Sequence, residues 1–186
     1  THKVMGGKSA GNGSLMRTVY PGIFYKTFKE RTGYAGCISL MTHFAEQATN
    51  ACMIYSAMVG LFTTGDISLE NCIKMHARVT EWDPDRFYDP VLLGDWFQPK
   101  PTGYVVDSFQ CALHCLLTAS RFEDAIVKAI NLGGDADTIG AITGGLAGAM
   151  YGFEAIPARW WTTLSSSDRQ KLDNSADNAI RNRTAP

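Results

Sequence analysis

Apolar residues recur along this chain mostly at three- and four-residue steps. Ala48, Cys52, Tyr55, Val59 and Phe62 form one such series, and Phe109, Ala112, Leu113 and Leu116 form another. Each predicts a helix with one buried face. A further helix is predicted where Phe122, Ala125, Ile126, Ala129 and Ile130 follow Ser120 and Glu123, a pair at capping-box spacing, and it should stop at Gly133 and Gly134. Pro157 suits the first position of a short helix through Trp160, Trp161 and Leu164. Leu172, Ala176, Ala179 and Ile180 predict a last helix before a frayed tail. The one tempting period-two run is residues 104–106. The expected fold class is all-α, a single irregular helical bundle spanning residues 1–186 as one domain. Residues 81–103, rich in Pro, Asp and aromatic side chains, are expected to form a long loop.

The segment 133–152, GGDADTIGAITGGLAGAMYG, departs from this pattern. Gly140, Gly144, Gly148 and Gly152 recur every four residues, a step at which small residues let helices approach closely in lipid. The uncharged stretch 139–153 falls short of the ~20 residues a membrane span needs, and Asp135 and Asp137 precede it. The expectation is a helix outside the membrane, with its glycine face buried against neighbouring helices. Each interior glycine costs a helix roughly 0.8–1 kcal/mol relative to alanine, a loss that close packing must offset.

Composition narrows the function classes. The chain has 186 residues, 45% of them apolar, enough for a real core. With 17 basic against 18 acidic residues and no block of Lys or Arg, sequence-independent nucleic-acid binding loses its support. Cys37, Cys52, Cys72, Cys111 and Cys115 sit in apolar segments, the usage of reduced thiols in a cytoplasmic protein. The start, THKVMGGKSAGNG, carries no apolar signal-peptide core and no initiator methionine, which implies part of a longer gene product.

The chemistry concentrates in two stretches. Asp135 and Asp137 stand at the start of the glycine-rich helix, where one aspartate suffices as an N-cap. Two carboxylates ~5 Å apart repel by roughly 3 kcal/mol at an effective dielectric near 20, so a partly buried pair favours a cation between them. Thr138 adds a neutral oxygen, and an all-oxygen set suits magnesium, manganese or calcium better than zinc. Local chemistry leaves both the cap and the cation site open. Near the start, SAGNGSLMR flanks Asn12 with glycines: either a turn whose amides meet an anion at a helix start, or a plain surface turn. Cys111, His114 and Cys115 lie at helical spacing but lack an evident fourth zinc ligand, so they read as a buried helix face.

SAGNGSLMR, Thr42 and His43 ahead of a helix, TGYVVDS, and GGDADTIGAITGGLAGAMYG followed by IPARW occur in that order from about Lys8 to Trp161. Together they resemble the ADP-ribosylglycohydrolase family, which includes dinitrogenase reductase-activating glycohydrolase and the ADP-ribosyl hydrolases. The resemblance implies an all-α fold holding two divalent metal ions, magnesium or manganese, at the base of an ADP-ribose cleft. It implies that Asp135 binds one metal, that Asp137 bridges both, and that Thr138 adds its hydroxyl. Ser9, Gly11, Asn12 and Gly13 match the segment that contacts the phosphates and the metal-proximal ribose. His43 matches a histidine facing the ligand, with a hydrogen-bonded histidine at a helix start as the other reading. Tyr104 either borders the cleft or belongs to the core. No catalytic side chain is assigned.

The chain also departs from the family. Its Thr-Asp-Asp-Thr motif and upstream glutamate have no counterpart here: Thr63, Thr64, Gly65 and Asp66 lack the paired carboxylates, and position 136 is Ala where Thr is usual. Octahedral magnesium takes about six oxygens, so this chain alone is expected to bind metal poorly, with a missing N-terminal segment of the same protein supplying further ligands. Two functions follow. One is an ADP-ribosyl hydrolase whose partner is an ADP-ribosylated protein or ADP-ribose, with arginine as the commoner bacterial attachment. The other is a non-catalytic ADP-ribose-binding protein or a structural homologue like the jellyfish lens crystallins, which also resemble the family. Neither involves nucleic acid or a membrane.

Overall fold

The computed structural model describes Gly6 and residues 10–66, 68–79 and 98–184. Nine α-helices carry the fold among these residues: α1 (Val19–Phe24), α2 (Phe28–Leu40), α3 (Glu46–Phe62), α4 (Leu69–Val79), α5 (Val105–Leu117), α6 (Phe122–Asn131), α7 (Ala136–Tyr151), α8 (Ala158–Thr163) and α9 (Ser166–Thr184). Short 3-10 turns precede α1 at Leu15–Arg17 and follow α7 at Phe153–Ala155. The tempting run at 104–106 resolves into one antiparallel bridge between Tyr104 and Gly11, after which the chain turns directly into α5.

Two central helices organise the rest. α3 packs against α1, α2, α4, α5 and α7, while α7 packs against α1, α3, α5 and α6. The apolar series read from the sequence line this core: Ala48, Cys52, Tyr55 and Val59 on α3 are fully buried, as are Phe109, Ala112 and Leu113 on α5. Each large side chain of this kind contributes about 1.5–3 kcal/mol by leaving water. No described helix is long and apolar enough to cross a membrane.

Helix ends follow the sequence in part. α6 stops at Asn131, and Gly133 and Gly134 both take positive φ. Its expected capping box does not form: Arg121 is the N-cap, Ser120 lies one residue too early, and the Glu123 carboxylate pairs with Arg159. A capping box forms instead at Thr27 and Glu30, ahead of α2. Pro157 is the N-cap of α8 rather than its first helical residue. The last helix forms as expected, over Ser166–Thr184, and the residues after it lie outside the described residues. Of the expected loop at 81–103, residues 81–97 lie outside the described residues.

The glycine face of α7 departs from expectation. Cβ atoms added at Gly140 and Gly144 would meet Ile130 and Ile126 of α6 at ordinary contact distances, but one at Gly148 would meet open space. Close approach occurs at Gly145, one residue round the helix, where a Cβ would overlap the Tyr55 hydroxyl and lie 3.1 Å from Val19 Cγ2. That hydroxyl donates to the Ile142 carbonyl at 3.1 Å, so the buried ring cannot yield without breaking its bond. Gly145→Ala should therefore destabilise by about 1–3 kcal/mol through overpacking, and Gly148→Leu by no more than about 0.5 kcal/mol. Thermal melts of the two variants check this; equal melting temperatures would refute the packing at Gly145.

All five cysteines are free thiols. Cys111 and Cys115 pack with Ala129 and Ile139 in a small apolar cluster. Burial pushes the Cys111 thiol up to about 12 and the Cys115 thiol up to about 11.

Candidate functional site

Three loops meet at the N-terminal end of α7. The first, residues 10–14, precedes the 3-10 turn; the second, 101–104, precedes α5; the third, 132–135, joins α6 to α7. The middle loop pairs with both others. Asn12 N donates to Gly103 O at 3.0 Å, Val105 N to Ala10 O at 3.0 Å, and Asp135 N to Pro101 O at 3.0 Å. The two chemistry-bearing stretches of the sequence are thus held on either side of one short segment.

Asn12 joins them through its side chain. It is buried, and its Nδ2 donates to Ser108 Oγ at 2.7 Å and to Asp135 Oδ2 at 2.6 Å. Ser108 passes its own proton to the Thr102 carbonyl at 2.7 Å, with the Tyr104 carbonyl at 3.1 Å. Both amide protons of Asn12 are therefore committed inside the protein, while its Oδ1 makes no hydrogen bond among the described residues. Beneath this turn a buried polar cluster ties it to α2 and α3. Ser39 Oγ donates to Ser14 Oγ at 3.1 Å, Cys52 Sγ to Ser14 Oγ at 3.4 Å, and Thr18 Oγ1 to the Ser14 carbonyl at 2.5 Å.

Asp135 is the N-cap residue of α7, yet its side chain makes no capping hydrogen bond. The carboxylate turns instead to Asn12. Asp137, in the first turn, is exposed, and it makes no hydrogen bond or ion pair among the described residues. Thr138 is buried; whereas Thr143 returns its hydroxyl to the Ile139 carbonyl one turn back, Thr138 makes no such bond among the described residues. Two carboxylates and a hydroxyl with unused oxygen lone pairs stand at the positive end of a helix dipole. This all-oxygen set fits a hard divalent ion and is only a partial shell: among the described residues no group of three or more His, Cys, Asp or Glu gathers at metal-binding spacing.

His43 lies in the connection between α2 and α3, with its ring against the glycine turn. A Cβ at Gly11 would stand 3.4 Å from His43 Nε2, and one at Gly13 would stand 3.2 Å from Cε1, so the missing side chains make room for the imidazole. His43 Nδ1 is 2.8 Å from Thr42 Oγ1, which also accepts a hydrogen bond from Arg17. Partial burial, and then the Arg17 charge, hold the imidazole below its usual pKa. His43 does not cap α3, whose N-cap is Ala45 with no side-chain cap bond. Tyr104 is 42% exposed, so it is not a core residue, and it meets the site through its backbone bridge to Gly11. Burial, then the nearby Asp107, raises its phenol pKa. Ser9 lies outside the described residues.

Ser108, Arg17 and the Pro101 carbonyl were not singled out from the sequence. Ser108 left a signal, being a polar residue on the otherwise apolar stripe of Val105, Phe109, Ala112 and Leu116. A separate groove of about 460 Å³, bordered by Arg121, Glu123, Phe153 and Trp161, lies at the opposite end of α7 from Asp135.

Comparison with known proteins sets this geometry in context. The ADP-ribosylglycohydrolase family profile matches residues 1–186. An ADP-ribosylarginine hydrolase of Pseudomonas putida (strain GB-1) is 32% identical over 173 residues, covering 88% of this chain and 45% of its own. The ADP-ribosyl-(dinitrogen reductase) glycohydrolase of Rhodospirillum rubrum is 28% identical over 137 residues, covering 74% and 44%. A solved structure titled ADP-ribosylglycohydrolase-related protein complex superposes with a TM-score of 0.80 at 30% identity, covering 95% of this chain and 62% of that one. The chain spans about half the length of the curated relatives it matches.

Proposed function

From the premise that this chain belongs to the ADP-ribosylglycohydrolase family, we propose that it carries the ADP-ribose and metal site of a hydrolase. That enzyme releases ADP-ribose from modified protein side chains. Arginine is the attachment favoured by the name of the Pseudomonas putida relative. The observation that carries this reading is the bond from Asn12 to Asp135, which joins two motifs 123 residues apart.

An aspartate at an N-cap ordinarily turns its carboxylate onto the first amides of its own helix, an arrangement worth about 1 kcal/mol. Asp135 forgoes that bond. Asn12 holds one carboxylate oxygen and leaves the remaining lone pairs, with those of Asp137 and Thr138, directed to a cation. Two magnesium or manganese ions would use Asp135, Asp137 and Thr138 as ligands, with others drawn from outside this chain. Bound there, they would supply Lewis-acid chemistry, orienting ribose hydroxyls and lowering the pKa of the attacking water. The chain's own residues position the sugar phosphate. Gly11 and Gly13, lacking side chains, let the His43 ring lie against the turn, and Tyr104 borders it through its bridge to Gly11, so the ligand would meet this turn with His43 beside it.

Asn12→Ala tests the reading. It removes the bond to Ser108 and the bond to a carboxylate, and the second alone is worth about 1.5–3 kcal/mol. With Asp135 released, metal affinity and the release of ADP-ribose from an ADP-ribosylarginine-bearing protein should each fall by about 10–100-fold, as happens when a partner behind a metal ligand is lost. Parental metal affinity and rate in a folded Asn12→Ala protein would contradict the proposal.

A further inference from the structure

A neutral imidazole carries its proton on one of two nitrogens, and the partner of the other nitrogen decides which. In His43, Nδ1 faces Thr42 Oγ1 at 2.8 Å. The same hydroxyl accepts from the Arg17 guanidinium, a group that has donors only and stays charged. Arg17 is anchored further by a weaker bond to the Ile38 carbonyl, in the last turn of α2, at 3.4 Å. A cation on one lone pair makes the threonine hydroxyl the better donor and the poorer acceptor. The direction this polarity favours is that Arg17 donates to Thr42 and Thr42 donates to Nδ1.

The other edge of the ring faces the ligand turn. His43 Nε2 lies 3.4 Å from where a Cβ would stand at either Gly11 or Gly13, and no described residue accepts a hydrogen bond from it. A proton held on Nε2 is thus aimed at the turn and lacks an acceptor among the described residues. We propose that Arg17 and Thr42 are positioning residues, a donor row that fixes the proton of His43 on Nε2 so that the ring donates to an oxygen of ADP-ribose lying over the 11–13 turn. The ligand in this statement rests on the proposed function; the tautomer and its cause do not.

The experiment separates the two. Long-range 1H–15N correlations of the imidazoles, with the His43 signals identified by their loss in His43→Gln, report the tautomer without any ligand. The expected pattern above the titration of His43 is a protonated Nε2 and an unprotonated, hydrogen-bonded Nδ1. Thr42 is exposed, so its variants should fold. Thr42→Ser should keep the Nδ1 signal in place, whereas Thr42→Val should move it. ADP-ribose should shift the Nε2 signal of the parent. Thr42→Val should bind ADP-ribose about fivefold or more weakly, the equivalent of one hydrogen bond, with Thr42→Ser within about twofold of the parent. A protonated Nδ1 in the parent, or parental ADP-ribose affinity in Thr42→Val, would overturn the positioning role. The expected tautomer with no response of Nε2 to saturating ADP-ribose would overturn the donor role and count against the proposed ligand, leaving the Arg17–Thr42 row intact.

Discussion

Gly134→Ala is expected to lower the stability of this protein by on the order of 3 kcal/mol, the largest effect of any small substitution near the site. Gly134 has φ +57°, a left-handed conformation that costs an L-residue about 1–2 kcal/mol. Its added Cβ would also overlap the Pro101 carbonyl oxygen and lie 3.1 Å from the Pro101 carbonyl carbon. Backbone cannot rotate away as the end of a side chain can. The same carbonyl accepts the Asp135 amide, so relief of the clash must part the 101–104 loop from the start of α7. Gly133 is the internal control, because its φ is +73° but a Cβ there meets open space. Gly133→Ala should cost only the conformational share, about 1 kcal/mol. For a chain of this size the two variants should melt about 2–4 °C and 6–12 °C below the parent. Indistinguishable melting temperatures would show that the contact with Pro101 does not constrain the loop.

Asp137→Asn is expected to have the largest effect on activity and almost none on folding. The side chain is exposed and makes no hydrogen bond or ion pair among the described residues, so nothing in the packing depends on its charge. Loss of a first-turn acid at a helix N-terminus costs about 0.3–1 kcal/mol, and relief of repulsion from Asp135 offsets part of that. On the proposed function Asp137 is a metal ligand, and making it neutral removes both charge and affinity. Hydrolysis of ADP-ribosylarginine should therefore fall by about 100-fold or more, with the metal-free melting temperature preserved or raised. A large drop in metal-free stability would instead assign Asp137 a structural task in α7.

Much of the fold could be read from the sequence because burial and helical period coincide. Tyr55, Val59, Phe109 and Leu113 announce their helices by spacing alone, and Gly133 and Gly134 announce where α6 ends. What escaped depends on neighbours that spacing does not record. The four-residue row of glycines on α7 marks a face, but Tyr55 crosses that helix at Gly145, and only the phase of α3 against α7 decides this. Ser120 and Glu123 carry capping-box spacing, yet Arg159 on a later helix draws Glu123 away.

The candidate site divides in the same way. Residue types at Asn12, Asp135, Asp137 and Thr138 identify an oxygen-rich site and a glycine turn. The bond from Asn12 to Asp135 spans 123 residues and is a product of the assembled bundle. Arg17 reads in sequence as one more surface charge, and its tie to His43 through Thr42 exists only because the α2–α3 connection passes beside the first turn.

The central claim is that the oxygens at the start of α7 are held for a divalent cation, and manganese broadening of amide signals tests it most directly. Paramagnetic broadening detects even weak occupancy, so it suits a partial ligand set. With substoichiometric manganese, the account predicts that the amides of Asn12 and of Gly134, Asp135, Ala136, Asp137 and Thr138 broaden first. Those around the exposed acids of α9, Asp168, Asp173 and Asp177, should stay sharp. The selective effect should disappear in Asp137→Asn. Broadening that follows surface acid content, or that persists unchanged in Asp137→Asn, would contradict the account.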